Sequence, residues 1–134
     1  MPRATVNPDD TTRIDLKTCP DGYVVLRRMS YGQKLARQEQ AVKMTMEQEG
    51  RSSKNGRMTM DMLQHAATVF DFRACVVDHN LEDDKGEKLN LTQVMVIDNL
   101  DPRIGEEIAE AINKMNNFEE ELKNSDFPNE SSLQ

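Results

Sequence analysis

Apolar residues recur every three or four positions in two long stretches of the chain, which is the spacing of one face of an α-helix. The stripe of the first stretch consists of Met60, Leu63, Ala67, Phe70, Ala74, Val77 and Leu81. The stripe of the second consists of Ile104, Ile108, Ala111, Met115, Phe118 and Leu122. Further apolar residues widen the first stripe, and a wide stripe favours the core helix of a domain over the seam of a coiled coil. The pattern therefore predicts core helices at about 59–80 and 102–123.

Signals for helix starts add a further helix and locate the last one more closely. Asp101 followed by Pro102 is typical of an N-cap and the first helical residue after it. Ser30 and Gln33 have the spacing of a capping box, which predicts a helix over about 30–49. The apolar stripe of this helix is thin, and it consists of Tyr31, Leu35, Val42 and Met46. We therefore expect this helix to be amphipathic and exposed.

A β-hairpin is predicted ahead of these helices, at residues 13–28. Ile14 and Leu16 alternate with polar neighbours, which is the pattern of a half-buried strand. A turn signal follows at 20–22, Pro-Asp-Gly, where proline presets φ and glycine supplies a positive φ. The β-rich run Tyr-Val-Val-Leu at 23–26 is the return strand. Because an isolated hairpin is only marginally stable, we expect this one to pack on the helices.

The remaining segments complete a single domain. The short apolar run at 94–97 fits a helix or a strand by pattern alone, and we assign it to a short helix over 93–99. Residues 1–12 and 124–134 are polar and are predicted to be a flexible arm and a flexible tail. The predicted fold is α+β, mostly α, with an N-terminal β-hairpin packed on a small bundle of three to four helices over 13–123.

Composition narrows the class of protein and its compartment. The 134 residues have a mean hydropathy of -0.74, yet the apolar periodicity is too regular for a disordered chain. No apolar run is long enough for a membrane span, and the N-terminus lacks the apolar region of a secretion signal. Two cysteines do not form a disulfide framework, which favours a reducing compartment. We therefore expect a cytosolic protein without membrane association.

Charge is divided unevenly between the two halves of the chain. Residues 1–57 contain 11 Lys and Arg against 7 Asp and Glu, whereas residues 58–134 contain 6 against 17. An acidic chain without interleaved aromatic and basic residues is a poor ligand for a phosphate backbone, so we do not expect nucleic-acid binding. The opposed charges would steer association with another chain, including a second copy, although solubility alone explains the division equally well.

Residues suited to catalysis or metal binding are few. Only two histidines occur, and there is neither a phosphate-binding loop nor a nucleophile motif. Cys75 and His79 are four apart on a predicted helix, but a structural zinc site takes four ligands, so a buried cysteine is favoured. The acidic stretch at 78–87 lacks carboxylates in the register of a calcium loop, and those at 98–110 are expected to face solvent. We therefore predict no catalytic residue, no metal, no cofactor and no enzymatic activity.

Methionines are the residues that this sequence offers for protein binding. The chain has nine, and their flexible side chains adapt to varied apolar partners. Met60 and Met115 are assigned to the core because they belong to the core stripes. The candidate client-binding residues are Met44, Met46, Met58 and Met62. Core filling explains all of these except Met46 equally well.

Three segments of the second half of the chain form a recognisable series: Asp-Phe-Arg-Ala-Cys-Val-Val-Asp-His-Asn-Leu at 71–81, Asp-Lys-Gly-Glu-Lys-Leu-Asn at 84–90 and Leu-Asp-Pro-Arg-Ile-Gly-Glu-Glu-Ile at 100–108. Together they resemble the tail assembly chaperones of long-tailed bacteriophages. The stretch Leu-Arg-Arg-Met-Ser-Tyr-Gly at 26–32, together with the polar helix after it, is similar to the same family. The resemblance covers about residues 23–117 and is one of pattern, without a catalytic signature.

The resemblance implies a small, mostly helical protein that acts during virion assembly. It implies that the chain binds the tape measure protein, keeps it in solution and helps to recruit major tail protein for tube assembly. Location in the host cytoplasm, absence from the mature virion and a longer form made by ribosomal frameshifting are implied in the same way. The alternatives are a structural tail or head–tail connector component and a small cytosolic regulatory binding protein.

Overall fold

The computed structural model describes residues 2–51 and 56–117, with the side chains of residues 2–47 and 60–117. Its fold is α+β and mostly α, as the sequence predicts. The antiparallel sheet consists of β1 (Thr11–Asp15), β2 (Tyr23–Arg27) and β3 (Val76–His79), in that spatial order. The helices are α1 (Tyr31–Arg51), α2 (Gly56–Cys75), α3 (Val94–Asp98) and α4 (Pro102–Asn116). β1 begins slightly inside the segment that was predicted to be a flexible arm.

The predicted β-hairpin is confirmed, with β1 and β2 paired across a tight turn. The amide of Leu16 donates to the carbonyl of Gly22 at 2.9 Å, and the amide of Gly22 donates to the carbonyl of Cys19 at 2.9 Å. The positive φ in this turn is that of Asp21, at 64°, and not that of Gly22. Glycine is required at position 22 for space, because a Cβ there would lie 2.8 Å from Cys19 Sγ.

The helix predicted over 59–80 is wrong at its end, because α2 stops at Cys75 and β3 follows at once. β3 pairs with β2, with a register shift between Val25 and Leu26. The β-branched residues Val76 and Val77 suit a strand. The open edge of β2 also needs hydrogen-bond partners, which a continued helix would not provide. Strand pairing therefore overrides an apolar spacing that also fits a helix.

The core lies between one face of the sheet, α2 and α4. Val24 and Leu26 of β2 are fully buried, and so are Ile108 and Ile112 of α4. The buried residues of α2 are Val69, Phe72, Ala74 and Cys75. These side chains, with the loop residues around α3, form one contiguous apolar cluster.

The core face of α2 differs from the stripe that the sequence predicts. Phe72 lies outside that stripe and is 1% exposed, whereas Met60, which was assigned to the core, is 72% exposed. The stripe residues Ala67 and Ala74 share a side of α2 with Asp71, whose carboxylate contacts α1. α2 therefore packs on two sides, and the widened stripe on this helix reflects contacts with both neighbours.

The predicted helix starts are confirmed at the level of individual hydrogen bonds. The amide of Ser30 donates to Gln33 Oε1 at 2.9 Å, and the amide of Gln33 donates to Ser30 Oγ at 3.2 Å, which is a capping box. Asp101 caps α4 by accepting a hydrogen bond from the amide of Arg103 at 2.9 Å, with Pro102 as the first helical residue.

α4 ends at Asn116, earlier than the predicted range of 102–123. Asn117 adopts the left-handed conformation, with φ 59° and ψ 34°, which ends a helix. The end of the predicted helix range, at 118–123, and the predicted tail, at 124–134, lie outside the described part of the chain. The short helix predicted over 93–99 is confirmed as α3.

Candidate protein-binding surface

An ion pair fastens α1 to α2, and we call these two helices the helical hairpin. Arg37 Nε and Nη2 lie 2.7 and 3.1 Å from the two carboxylate oxygens of Asp71. The two side chains are 28% and 13% exposed. Burial raises the pKa of the Asp71 carboxyl above its ordinary value, and the Arg37 guanidinium opposes this rise. The charge of Asp71 is therefore tolerated at this depth because Arg37 accompanies it.

α1 presents most of its large apolar residues away from α2. Ala41 and Met44 follow Arg37 by about one and two turns on the same side of the helix, and both are half-buried. The exposed apolar residues of α1, which we call the outer stripe, are Tyr31 (76%), Leu35 (45%), Val42 (57%) and Met46 (66%). None of the α1 side chains that the structure describes is buried. Within the described residues, α1 therefore carries an apolar face that nothing covers.

The four candidate methionines occupy different environments. Met46 belongs to the outer stripe, whereas Met44 is half-buried. Met62 is 39% exposed on α2, and the side chain of Met58 lies outside the described residues. Met46 and Met62 are equally distant in sequence from the Arg37–Asp71 pair, so they lie at about the same level of the helical hairpin. The binding of a client by these four methionines therefore stays a prediction.

Sequence reasoning missed three residues of this surface as contact candidates. Tyr31, Leu35 and Val42 were recognised as a thin apolar stripe, but only the methionines were assigned to binding. The signal was present in the sequence, because a stripe on an otherwise polar helix has too few apolar residues to join a core on all sides. The exposure of these side chains is a tertiary property and required the structure.

Asn116 holds the start of α1 in place, and its side chain lies in the core. Its Oδ1 accepts a hydrogen bond from the amide of Met29 at 2.9 Å. Its Nδ2 donates to the carbonyl of Ile112 at 2.9 Å and lies 3.7 Å from Cys75 Sγ. Burial raises the pKa of the Cys75 thiol to about 11, so the thiol stays protonated near neutral pH. One amide group thus joins the last turn of α4, the end of α2 and the segment that leads into α1.

Glu107 joins the β-hairpin to α4, although the sequence placed the carboxylates of this region in solvent. Its Oε2 accepts a hydrogen bond from the amide of Lys17 at 2.8 Å. Its Oε1 accepts from the amide and the hydroxyl of Thr18, at 3.0 and 2.6 Å. These hydrogen bonds hold the pKa of the Glu107 carboxyl below its ordinary value of 4.5, and the bond from the Lys17 amide contributes most. The carboxylate therefore stabilises the contact between the turn and α4.

We predict that replacing Glu107 with Gln lowers stability at neutral pH by an amount that disappears in acid. A carboxyl whose pKa is lower in the folded state stabilises the fold above its unfolded pKa of about 4.5. That contribution is lost as the pH falls through the lower folded pKa. Urea unfolding of both proteins at several pH values measures the difference. Glu106→Gln, a change at the exposed neighbouring position, is the control, and equal pH dependence of the two variants would contradict the prediction.

Cys75 and His79, which were considered as a metal-binding pair, lie on different secondary-structure elements. Cys75 ends α2 and His79 ends β3, so they do not share a helix face. His79 Nδ1 accepts a hydrogen bond from the amide of Leu81 at 3.0 Å. Burial, as the largest cause, lowers the pKa of the His79 imidazole. In the residues that the structure describes, no three His, Cys, Asp or Glu side chains are grouped so that they could bind a metal ion.

The acidic segment that was weighed as a calcium loop is a closed turn. Asp83 Oδ1 accepts hydrogen bonds from the amides of Lys85 and Glu87, both at 2.9 Å. Gly86 has a φ of 82°, which glycine adopts without strain. The carboxylate of Asp83 therefore stabilises its own turn.

A comparison of the chain with family models, with curated proteins and with solved structures finds no match. Across residues 2–51 and 56–117, no helix is both long and apolar enough to cross a membrane. The proposals that follow therefore rest on the surface of the helical hairpin and on the resemblance of the sequence.

Proposed function

We propose that the chain is a non-catalytic protein-binding factor that covers apolar helices of other proteins before they assemble. The observation that supports this proposal is the outer stripe, four apolar side chains that are 45–76% exposed along one side of α1. Single exposed apolar residues are ordinary, but a contiguous row of them is typical of an interaction surface. Amphipathic helices commonly bind by laying such a row against a partner.

The spacing of the outer stripe favours a helical client. At 100° per residue, its four positions lie within an arc of about 60° on α1. A row this narrow matches the contact line between two packed helices and is too narrow for a sheet or a globular core. Met46 at its end gives the surface a flexible side chain that adapts to different apolar residues of the client.

Within this class we propose the function of a phage tail assembly chaperone, because of the resemblance of the sequence. The client would be the tape measure protein, whose apolar helix faces need cover until the tail tube forms. Recruitment of major tail protein, location in the host cytoplasm and absence from the mature virion belong to the same proposal. The formal net charge of -7 supports it, because charge repulsion keeps a complex with an apolar client in solution.

Client capture is expected to depend on the centre of the outer stripe. The double variant Leu35→Gln with Val42→Gln removes this centre. It keeps the helix propensity at position 35 and raises it at position 42, so α1 should still form. We expect capture of the tape measure protein to fall at least tenfold, because each buried aliphatic side chain contributes about 1.5–3 kcal/mol. Co-expression, affinity purification and quantification of the client measure the effect.

A matched control places the same new side chain elsewhere on α1. Ala36 is exposed and lies outside the outer stripe, so Ala36→Gln should capture the client as the wild type does. Among the methionine candidates, Met46→Gln should weaken capture more than Met44→Gln, because Met44 is half-buried. Full capture by the double variant, with the fold retained by circular dichroism, would rule out this surface as the client site.

Purified particles distinguish the proposed function from its alternatives. A chaperone should be absent from mature virions, whereas a connector or tail component should be present in a fixed number of copies. Quantitative mass spectrometry of particles decides between the two. Salt-sensitive retention on nucleic acid would instead favour a regulatory protein that binds through its basic half, residues 1–57.

A further inference from the structure

The outer stripe has a symmetry that a client of unrelated sequence would not require. Tyr31 and Met46 are equally distant in sequence from the midpoint of the outer stripe, which lies between Gln38 and Glu39. Leu35 and Val42 are equally distant from the same midpoint. A row with this symmetry is complementary to its own copy when the two helices run in opposite directions, as an interface with a two-fold axis requires.

We infer that a second copy of this chain covers the outer stripe when no client is bound. The two α1 helices pack antiparallel, with the two-fold axis passing between Gln38 and Glu39. Tyr31 of each copy then meets Met46 of the other, and Leu35 of each meets Val42 of the other. The Tyr31–Met46 contact joins a thioether to an aromatic ring, and the Leu35–Val42 contact closes the apolar centre.

The polar residues at the midpoint fix the register of this pair. Gln38 lies about 20° outside the arc of the outer stripe on α1 and is exposed. The two-fold axis brings Gln38 of each copy opposite Gln38 of the other, and their amide groups can donate hydrogen bonds to each other. A polar residue within an apolar seam specifies register and direction, because other registers leave it opposite an apolar side chain.

The distribution of charge along this segment favours the antiparallel direction. Residues 28–36 contain two basic side chains, Arg28 and Lys34, and no acidic one, whereas residues 38–50 contain three acidic side chains and one basic one. Antiparallel packing brings the basic half of one segment to the acidic half of the other. Parallel packing would bring like charges together along the whole length, which is unfavourable.

Dimerisation and client binding would use the same face of α1. Competition between them rests on the proposed function, whereas the dimer itself does not. A second copy would protect the apolar face from non-specific association and would leave as the client arrives. The dimer should therefore be reversible and moderate in affinity, because a tight one would prevent client capture.

The oligomeric state of the purified full chain tests the inference first. Sedimentation equilibrium over a range of concentrations should show a monomer–dimer equilibrium. The variant Leu35→Glu places two carboxylates in the apolar centre and should raise the dissociation constant by at least about a hundredfold. Ala36→Gln should leave it unchanged, and circular dichroism should show the same helix content for all three proteins. A monomeric wild type, or a dimer that Leu35→Glu does not weaken, would overturn the inference.

Disulfide trapping tests the direction and the register. In a Cys19→Ser background, Gln38→Cys should cross-link with itself under mild oxidation. Leu35→Cys should cross-link with Val42→Cys in a mixture, and neither should do so efficiently alone. Efficient self-linking of Leu35→Cys would indicate parallel packing and contradict the inference. The background protein, which retains the buried Cys75, should give no cross-link.

The outcomes for the dimer and for the client can be told apart. If the chain is monomeric but captures the tape measure protein through Leu35 and Val42, the inference fails and the proposed function stands. If the expected cross-links form and no client is captured, the proposed function fails and the dimer stands. If both hold, added client should reduce Gln38→Cys cross-linking, and cross-linked protein should not capture client.

Discussion

Replacing Arg37 with Met should destabilise the protein by about 2–3 kcal/mol at neutral pH. The change leaves the Asp71 carboxylate, which is 13% exposed, without the guanidinium that lies 2.7 Å away. Breaking a buried ion pair by removing one partner costs about 3–5 kcal/mol, and we expect less here because Arg37 is 28% exposed. Methionine keeps much of the aliphatic stem of arginine, so the loss reflects charge more than packing. Urea unfolding measures the difference.

The pH dependence of this loss has a definite sign. The pKa of the Asp71 carboxyl is raised in the folded protein from its ordinary value of 3.8, chiefly by burial. A carboxyl with a raised folded pKa binds its proton more tightly in the folded state, so the fold gains stability as the pH falls through that pKa. Removing Arg37 should raise the pKa further. The deficit of Arg37→Met should therefore be full at neutral pH and shrink towards mildly acidic pH.

Two further variants separate charge from packing at this ion pair. The double variant Arg37→Met with Asp71→Leu should regain most of the lost stability, because no charge is then left without a partner. Arg37→Lys should regain only part, because an ammonium group cannot form both hydrogen bonds to the carboxylate. A deficit of Arg37→Met that is the same at every pH would show that Asp71 is not its cause.

Replacing Asn116 with Leu should destabilise the protein by about 3 kcal/mol. The amide of Met29 would lose its acceptor, and a buried donor without a partner costs about 1–3 kcal/mol. The branched side chain would also have to fit between Ile112 and Cys75, where the amide group of Asn116 now lies. Thermal and urea unfolding should both show the loss.

The neighbouring asparagine is a matched control for this change. Asn117 is exposed and has a φ of 59°, which glycine adopts without strain. Asn117→Gly should therefore leave the stability within about 0.5 kcal/mol of the wild type. If Asn116→Leu were equally harmless, the buried amide would not be what joins α4 to the start of α1.

The local signals of the sequence were reliable because their partners lie close along the chain. The capping box at Ser30 and Gln33 and the cap at Asp101 each need hydrogen bonds only between residues two or three apart. The β-hairpin also pairs strands that are neighbours along the chain, and a one-residue slip would turn the buried strand face to solvent. These signals determined the number and order of most elements.

The end of α2 could not be predicted, because two physical requirements compete there. Val76 and Val77 continue an apolar spacing that fits a helix, and as β-branched residues they also suit a strand. The edge of β2, which lies some fifty residues earlier in the sequence, decides in favour of β3. Periodicity describes one chain segment at a time and contains no information about a distant open edge.

The sequence by itself determined the α+β class, the β-hairpin, the helix starts and the presence of a thin apolar stripe on an otherwise polar first helix. Only the tertiary structure decided which side of α2 enters the core. That structure showed that Met60 lies outside the core. It also decided the roles of Asn116 and Glu107, whose partners lie 87 to 90 residues away in the chain. Both the sequence and the tertiary structure were needed to identify the outer stripe. Its residues follow from local spacing, whereas their exposure follows from the packing of α2 and the core against other sides of the fold. Burial is a property of the whole fold, which is why local patterns locate elements better than they locate surfaces.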